Sequence, residues 1–80
     1  MIKVRILSPQ WSREFDADAV FLPGALGEFE ILKDHAPIIS LLTEGDLRWR
    51  SASSDKEESL HVAGGVAKLD RNDLTVCVEG

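Results

Sequence analysis

The chain has 80 residues, of which 44% are hydrophobic and 29% charged, and its formal charge is −5. These values indicate one small folded domain with a modest core, and an acidic balance without a basic cluster argues against nucleic-acid binding. The chain contains neither the roughly 18-residue apolar run of a membrane span nor the features of a signal peptide, and Cys77 is its single cysteine. We therefore expect a soluble, cytoplasmic protein without an internal disulfide.

The first half of the chain has the pattern of short β-strands. Residues 2–6 alternate apolar and basic side chains, as a half-buried strand does. A second run over residues 11–15 leads into residues 19–24, AVFLPG, which are apolar on both faces before proline and glycine end the strand. Residues 28–31 predict a further short strand, and Lys33-Asp34 predicts a turn.

The second half continues the same pattern. Residues 38–50 contain a continuous apolar run followed by clean alternation, and the polar stretch 51–59 predicts a hairpin loop. Strand-like alternation fills residues 60–78, with breaks at 64–65 and 70–73. Apolar residues do not recur at helical spacing over ten residues, so the chain is expected to be a single all-β domain, an antiparallel sandwich or barrel, over residues 1–80.

His35 is the first candidate for catalysis, because Asp34 precedes it and an Asp beside a His can orient a general base. Adjacent side chains on extended backbone diverge, however, so a structural or interface role is the better interpretation. His61 and Cys77 are interpreted as ordinary strand residues. No spacing of His, Cys or Asp matches a metal motif, and GALG at 24–27 lacks the Lys-Ser/Thr of a phosphate loop. We expect no cofactor and no metal.

Seven short motifs occur in one order along the chain. They are Leu22-Pro23-Gly24, Gly27-Glu28-Phe29, Ile31-Leu32, His35-Ala36-Pro37, Glu44-Gly45-Asp46-Leu47-Arg48, Ala63-Gly64-Gly65-Val66 and Asp73-Leu74-Thr75-Val76. Together they resemble the epsilon subunit of F-type ATP synthase, which is called delta in mitochondria. One departure is Lys33-Asp34, which stands where that family usually has Pro-Gly.

The resemblance implies a fold and a function. The fold is a ten-stranded antiparallel β-sandwich, the N-terminal domain of epsilon, over residues 1–80. The function is that of a non-catalytic rotor subunit, which binds the gamma subunit in the central stalk and docks it on the c ring, so that proton translocation is coupled to ATP synthesis. The implied location is the cytoplasmic face of the bacterial inner membrane, peripherally attached. Because the sequence stops at Gly80, we expect the family's C-terminal helical hairpin, with its inhibitory and ATP-sensing roles, to be absent.

The resemblance also assigns contact residues. Those expected at the gamma subunit are Ser8, His35, Ala36, Pro37, Ile38 and Ser40. Those expected at the c ring are Gly24, Ala25, Leu26, Gly27 and Glu28, with the Glu28 carboxylate held out on a turn. An apolar patch around Phe21, Ile38 and Ile39 is expected to be covered in the assembly. Two alternatives stay open: a free-standing β-sandwich module with another protein partner, and a small enzyme using His35 and Asp34.

Overall fold

The computed structural model describes residues 1–79, and every regular element in them is a β-strand. The strands are β1 Ile2–Leu7, β2 Ser12–Gly24, β3 Gly27–Leu32, β4 Ile38–Leu42, β5 Gly45–Ser51, β6 Glu57–Val62, β7 Gly65–Asp70 and β8 Asp73–Val78. The predicted all-β class is confirmed, but the described residues form eight strands where ten were expected. One reason is that the two runs at 11–15 and 19–24 belong to one uninterrupted strand, β2.

Strand β2 joins the two layers of the fold. Its first half, Ser12–Ala17, pairs antiparallel with β1, and its second half pairs with β3 on one edge and β5 on the other. The register with β5 shifts between Ala17 and Ala19. Such an irregularity bends a strand and lets it pass from one sheet to another. The layers are therefore β3-β2-β5-β6 and β1-β8-β7-β4, with β4 returning to β2 at the pair Gly24 and Leu42.

One pairing departs from the expected antiparallel arrangement. Strands β1 and β8 run parallel, with Lys3 opposite Asp73 and Leu7 opposite Cys77. A tight hairpin connects only antiparallel neighbours, whereas these two strands are the first and last of the described residues and the intervening chain serves as their crossover. Local sequence pattern could not have revealed this direction.

The core lies between the layers and follows the predicted alternation. Ile2, Val4 and Ile6 are fully buried, and they belong to the same core cluster as Leu47 and Trp49 of the other layer. The indole of Trp49 stacks on Phe15, with ring centroids 4.5 Å apart, and the Arg13 guanidinium lies over the same indole at 5.1 Å. Arg13 also donates to the carboxylate of Glu58 at 3.1 Å, so an ion pair covers this end of the core.

The loop between β5 and β6 is shorter than predicted. Strand β6 begins at Glu57, three residues before the apolar residue that marked it in the sequence. The two glutamates at its start pair with Arg50 and Trp49 of β5 in the ladder, and their carboxylates bind Arg48 and Arg13. Polar residues therefore extend the strand through ion pairs, which hydrophobic alternation cannot indicate. Within residues 1–79, no helix of the length and hydropathy needed to cross a membrane is found.

Candidate functional site

A tight hairpin tip between β2 and β3 holds the residues predicted to contact the c ring. Gly24 pairs with Gly27, which has a φ of +128°, and Ala25 and Leu26 form the turn between them. A Cβ at Gly24 would lie 2.7 Å from the Gly27 carbonyl oxygen and 2.9 Å from the Phe29 ring, so this position admits only glycine without a shift. The side chain of Leu26 is fully exposed at the turn.

Glu28 is not held out on the turn, contrary to the sequence-based expectation. It belongs to β3, where it pairs with Pro23, and its carboxylate accepts a hydrogen bond from Arg48 Nη2 at 3.1 Å. Arg48 also donates to Glu57 at 2.9 Å and lies 4.6 Å above the ring of Phe21. Glu28 and Arg48 meet because the β2-β5 register pairs Arg48 with Phe21 and so brings Arg48 beside the hairpin. The outermost side chain of the tip is therefore apolar Leu26, not acidic Glu28.

The hairpin tip is fastened to strand β4. Ala25 N donates to the Leu41 carbonyl oxygen at 2.9 Å, and Thr43 N donates to the Pro23 carbonyl oxygen at 2.8 Å. A hollow of about 610 Å³ lies between the hairpin tip and β4, and it is lined by residues 24–29 and 38–41. The structure therefore brings the residues predicted for the c ring next to Ile38 and Ser40, which were predicted for the gamma subunit.

Exposed apolar side chains surround this hollow. Ile39 and Leu41 point outward from β4 with 73% and 67% of their surface exposed, and Val66 of β7 pairs with Leu41 and is also exposed. With Leu26 they form what we call the apolar face, residues 26, 39, 41 and 66. The predicted patch of Phe21, Ile38 and Ile39 is correct only for Ile39. Ile38 packs against the core, and Arg48 covers Phe21, which lies in the other layer.

The His35-Ala36-Pro37 corner lies in the segment 33–37 between β3 and β4. His35 N donates to the Leu32 carbonyl oxygen at 3.1 Å, and the ring nitrogen Nδ1 lies 2.7 Å from the Ala36 carbonyl oxygen, so it carries a proton and donates there. Ala36 and Pro37 are exposed, and His35 is half-buried. The Asp34 carboxylate accepts a hydrogen bond from Asn72 at 2.9 Å. The described hydrogen bonds therefore give no Asp34-His35 dyad for acid–base catalysis.

Ser8 is set apart from the other predicted contact residues. It lies one residue beyond β1, where its backbone N–H donates to the Trp11 carbonyl oxygen at 2.9 Å. The Asp34-Asn72 pair is near the opposite end of β1, since Lys3 N donates to the Asn72 carbonyl oxygen at 2.8 Å. Ser8 and the His35 corner thus lie towards opposite ends of the same sheet, and a partner touching both would have to span its length.

Sequence reasoning missed a small charged cluster around His61. Nδ1 of this exposed histidine lies 2.9 Å from Asp46 and Nε2 lies 3.2 Å from Glu44. Hydrogen bonds to Asp46 and then to Glu44 raise the pKa of His61 above its ordinary value of 6.5. Asp46 pairs with His61 across the β5-β6 hairpin, so the register of that hairpin would have been the signal.

No group of three or more His, Cys, Asp or Glu side chains within residues 1–79 is placed to hold a metal ion. Cys77 is a free, exposed thiol on the outer face of β8. Residues 1–79 present a tight hairpin tip, an apolar face and an exposed proline corner. Exposed apolar surface of this kind is a feature of protein-interaction sites.

The family follows from comparison with known proteins. Residues 1–80 match the family described as the ATP synthase delta/epsilon chain, β-sandwich domain. The chain is 35% identical to the ATP synthase epsilon chain of Nostoc sp. over 99% of its own length and 58% of that relative. It is 37% identical to the epsilon chain of Wolinella succinogenes over 100% of its own length and 61% of that relative. The chain therefore belongs to the delta/epsilon family of ATP synthase, as its motifs predicted.

Solved structures show the same fold. A chain of the Tetrahymena thermophila mitochondrial ATP synthase central stalk and c ring matches with a TM-score of 0.85 at 16% identity, over 99% of this chain and 63% of that one. A chain of the Euglena gracilis mitochondrial ATP synthase matches with a TM-score of 0.88 at 16% identity, over 96% and 49%. The protein spans about three-fifths of the length of the epsilon chains described above. Its family is that of the delta/epsilon chain of ATP synthase and not of a catalytic subunit.

Proposed function

We propose that this domain binds the gamma subunit in the central stalk of ATP synthase and rests on the c ring, so that rotation couples proton translocation to ATP synthesis. The main support for the proposal is the exposure of the apolar face, residues 26, 39, 41 and 66. This face combines the fully exposed Leu26 with outward-facing Ile39 and Leu41 and adjoins both predicted contact ranges. Contiguous apolar surface of this kind marks a protein interface. The domain would then be attached to the cytoplasmic side of the membrane only through the complex.

The two contact surfaces have different chemistry in this proposal. The hairpin tip, residues 24–28, meets the c ring through Leu26, while Glu28 stiffens the hairpin through Arg48. The gamma subunit contacts residues 35–40, where Ile39 supplies apolar area and Pro37 limits backbone freedom. Because the corner and the tip are already ordered, little conformational entropy is lost on binding. Ser8 would lie at the far margin of such an interface.

The test uses membranes from which the native subunit has been removed. Adding the wild-type domain should restore proton pumping per ATP hydrolysed, whereas Leu26→Asp should restore it poorly because a charge replaces the apolar tip. Ser54→Asp is the matched control, since Ser54 is exposed in the 52–56 loop, far from the tip. This loop follows the end of β5, whereas the start of β5, Gly45, adjoins Pro23 of the hairpin. Normal pumping without the domain, or equal restoration by both variants, would refute the coupling role of the tip.

A further inference from the structure

Two turns that are distant in sequence are joined by a reciprocal pair of hydrogen bonds. Asp34 N donates to Asn72 Oδ1 at 2.6 Å, and Asn72 Nδ2 donates to Asp34 Oδ1 at 2.9 Å. The residues are 38 positions apart, Asp34 in the β3-β4 segment and Asn72 in the turn between β7 and β8. A side chain that both accepts from and donates to one residue fixes the orientation of that residue as well as its position.

Both residues adopt left-handed backbone conformations, with φ of 65° at Asp34 and 62° at Asn72. L-residues seldom adopt this region, and Asn and Asp are among the few that tolerate it. Strained conformations persist when surrounding contacts over-determine them. At Asp34 those contacts come from Asn72, next to the turn that the hydrogen bond from His35 N to the Leu32 carbonyl oxygen closes.

Asn72 is itself firmly placed. Its carbonyl oxygen accepts from Lys3 N at 2.8 Å, and the flanking pair Asp70 and Asp73 closes the β7-β8 hairpin. Segment 33–37, in contrast, has few ties. Among the hydrogen bonds of the described residues, only those with Asn72 join it to a part of the chain distant in sequence, and the bond from His35 N to Leu32 is local.

We propose that Asn72 is a positioning residue for the His35-Ala36-Pro37 corner and sets the conformation in which the corner meets its protein partner. This inference rests on the proposed gamma-binding function and deepens it, because Asn72 was not among the predicted contacts. Asn72 acts through Asp34, which precedes the corner directly. Loss of the pair leaves the corner free to sample other conformations, and the apparent affinity falls with the population of the competent one.

The experiment exchanges the two side chains. Asn72→Asp alone places two carboxylates face to face and removes the donor, so gamma binding should weaken about tenfold. The double variant Asp34→Asn with Asn72→Asp keeps the net charge of the wild type. It keeps the bond donated by the backbone N–H of residue 34 and restores the side-chain bond with its donor reversed. Its dissociation constant should return to within about threefold of the wild type.

Amide hydrogen exchange at Asp34 gives a second readout. It should accelerate in Asn72→Asp and recover in the double variant, while the amide of buried Val76 stays protected in all three proteins. If Asn72→Asp fails to fold, Asn72→Gly replaces it, because glycine keeps the left-handed backbone and removes only the side chain. A folded single variant, Asn72→Asp or Asn72→Gly, that binds gamma as the wild type does would overturn the inference.

The two proposals fail in different ways. If wild-type protein does not bind gamma, the proposed function is wrong, and with it the role of Asn72 in gamma binding. If the wild type binds but the double variant does not recover, only the positioning role of Asn72 is wrong. If the Asp34 amide is indifferent to Asn72→Asp, the pair does not hold the segment in solution, and the positioning role is again rejected.

Discussion

The imidazole of His61 lies between two carboxylates, and its protonation should therefore affect stability. Asp46 and Glu44 hold its pKa above the ordinary 6.5 in the folded protein. A raised pKa means that the native state binds the proton more tightly than the unfolded chain does. The resulting stabilisation is full below about pH 6.5 and is lost as the pH rises through the folded-state value.

We predict that His61→Gln lowers the free energy of unfolding at pH 5.5 and has little effect at pH 9. The effect is expected to be small because all three side chains are exposed. Urea denaturation at the two pH values measures it, and NMR titration should place the His61 pKa lower in Asp46→Asn than in the wild type. An equal loss at both pH values would contradict the ion-pair explanation.

Two leucines illustrate how burial determines the effect of one substitution. Leu47 is fully buried beside Trp49, whereas Leu41 belongs to the apolar face. Leu47→Ala should lower the free energy of unfolding by about 2–5 kcal/mol, since it removes buried methyl groups and leaves a cavity. Leu41→Ala should change it by less than about 0.5 kcal/mol. Chemical denaturation provides the comparison, and similar losses would mean that Leu41 belongs to the core.

The close approach of strands β7 and β8 depends on Gly65. A Cβ at Gly65 would lie only 2.0 Å from the Cys77 carbonyl oxygen and 3.1 Å from the Val78 Cα, so the obstacle is backbone that cannot rotate away. Gly65→Ala should therefore lower the free energy of unfolding by about 2–3 kcal/mol. Gly27→Ala is the control for the effect of backbone conformation without a steric clash.

Gly27 also has a positive φ, but a Cβ there would meet no atom within 4 Å. Gly27→Ala should cost only about 1 kcal/mol, from backbone strain. Denaturant midpoints of the two variants would distinguish the steric clash expected at position 65 from the backbone strain expected at position 27. If both variants lost the same free energy, the close approach of β7 to β8 would not be the reason for glycine at position 65.

Local pattern was sufficient to predict most strands, because alternation reports which face is buried. The tip at residues 24–27 was also predicted, since glycine and proline interrupt the apolar runs there. Features that depend on non-local register were not predictable. The contact of Glu28 with Arg48 requires the β2-β5 pairing, and the Asp34-Asn72 pair requires two turns 38 residues apart to meet. The parallel β1-β8 pairing was missed for the same reason.

Taken as a whole, the domain exposes the apolar face, on which Lys68 of β7 pairs with Ile39. The formal charge of −5 favours solubility of the separate domain, while residues 26, 39, 41 and 66 remain uncovered. We predict that Ile39→Asp leaves the denaturation midpoint nearly unchanged and weakens gamma binding at least tenfold, because a charge then enters an apolar interface. A variant that binds normally would remove Ile39 from the interface.

Calorimetric titration of the domain with the gamma subunit of the same organism tests the proposed gamma-binding surface. The wild type should bind one to one. Ala36→Glu should weaken binding more than tenfold, since Ala36 is exposed in the proposed interface. Ser54→Glu adds the same charge in the distant 52–56 loop and should bind as the wild type does. No binding by the folded wild type, or equal binding by both variants, would contradict the proposed role of this surface in the stalk.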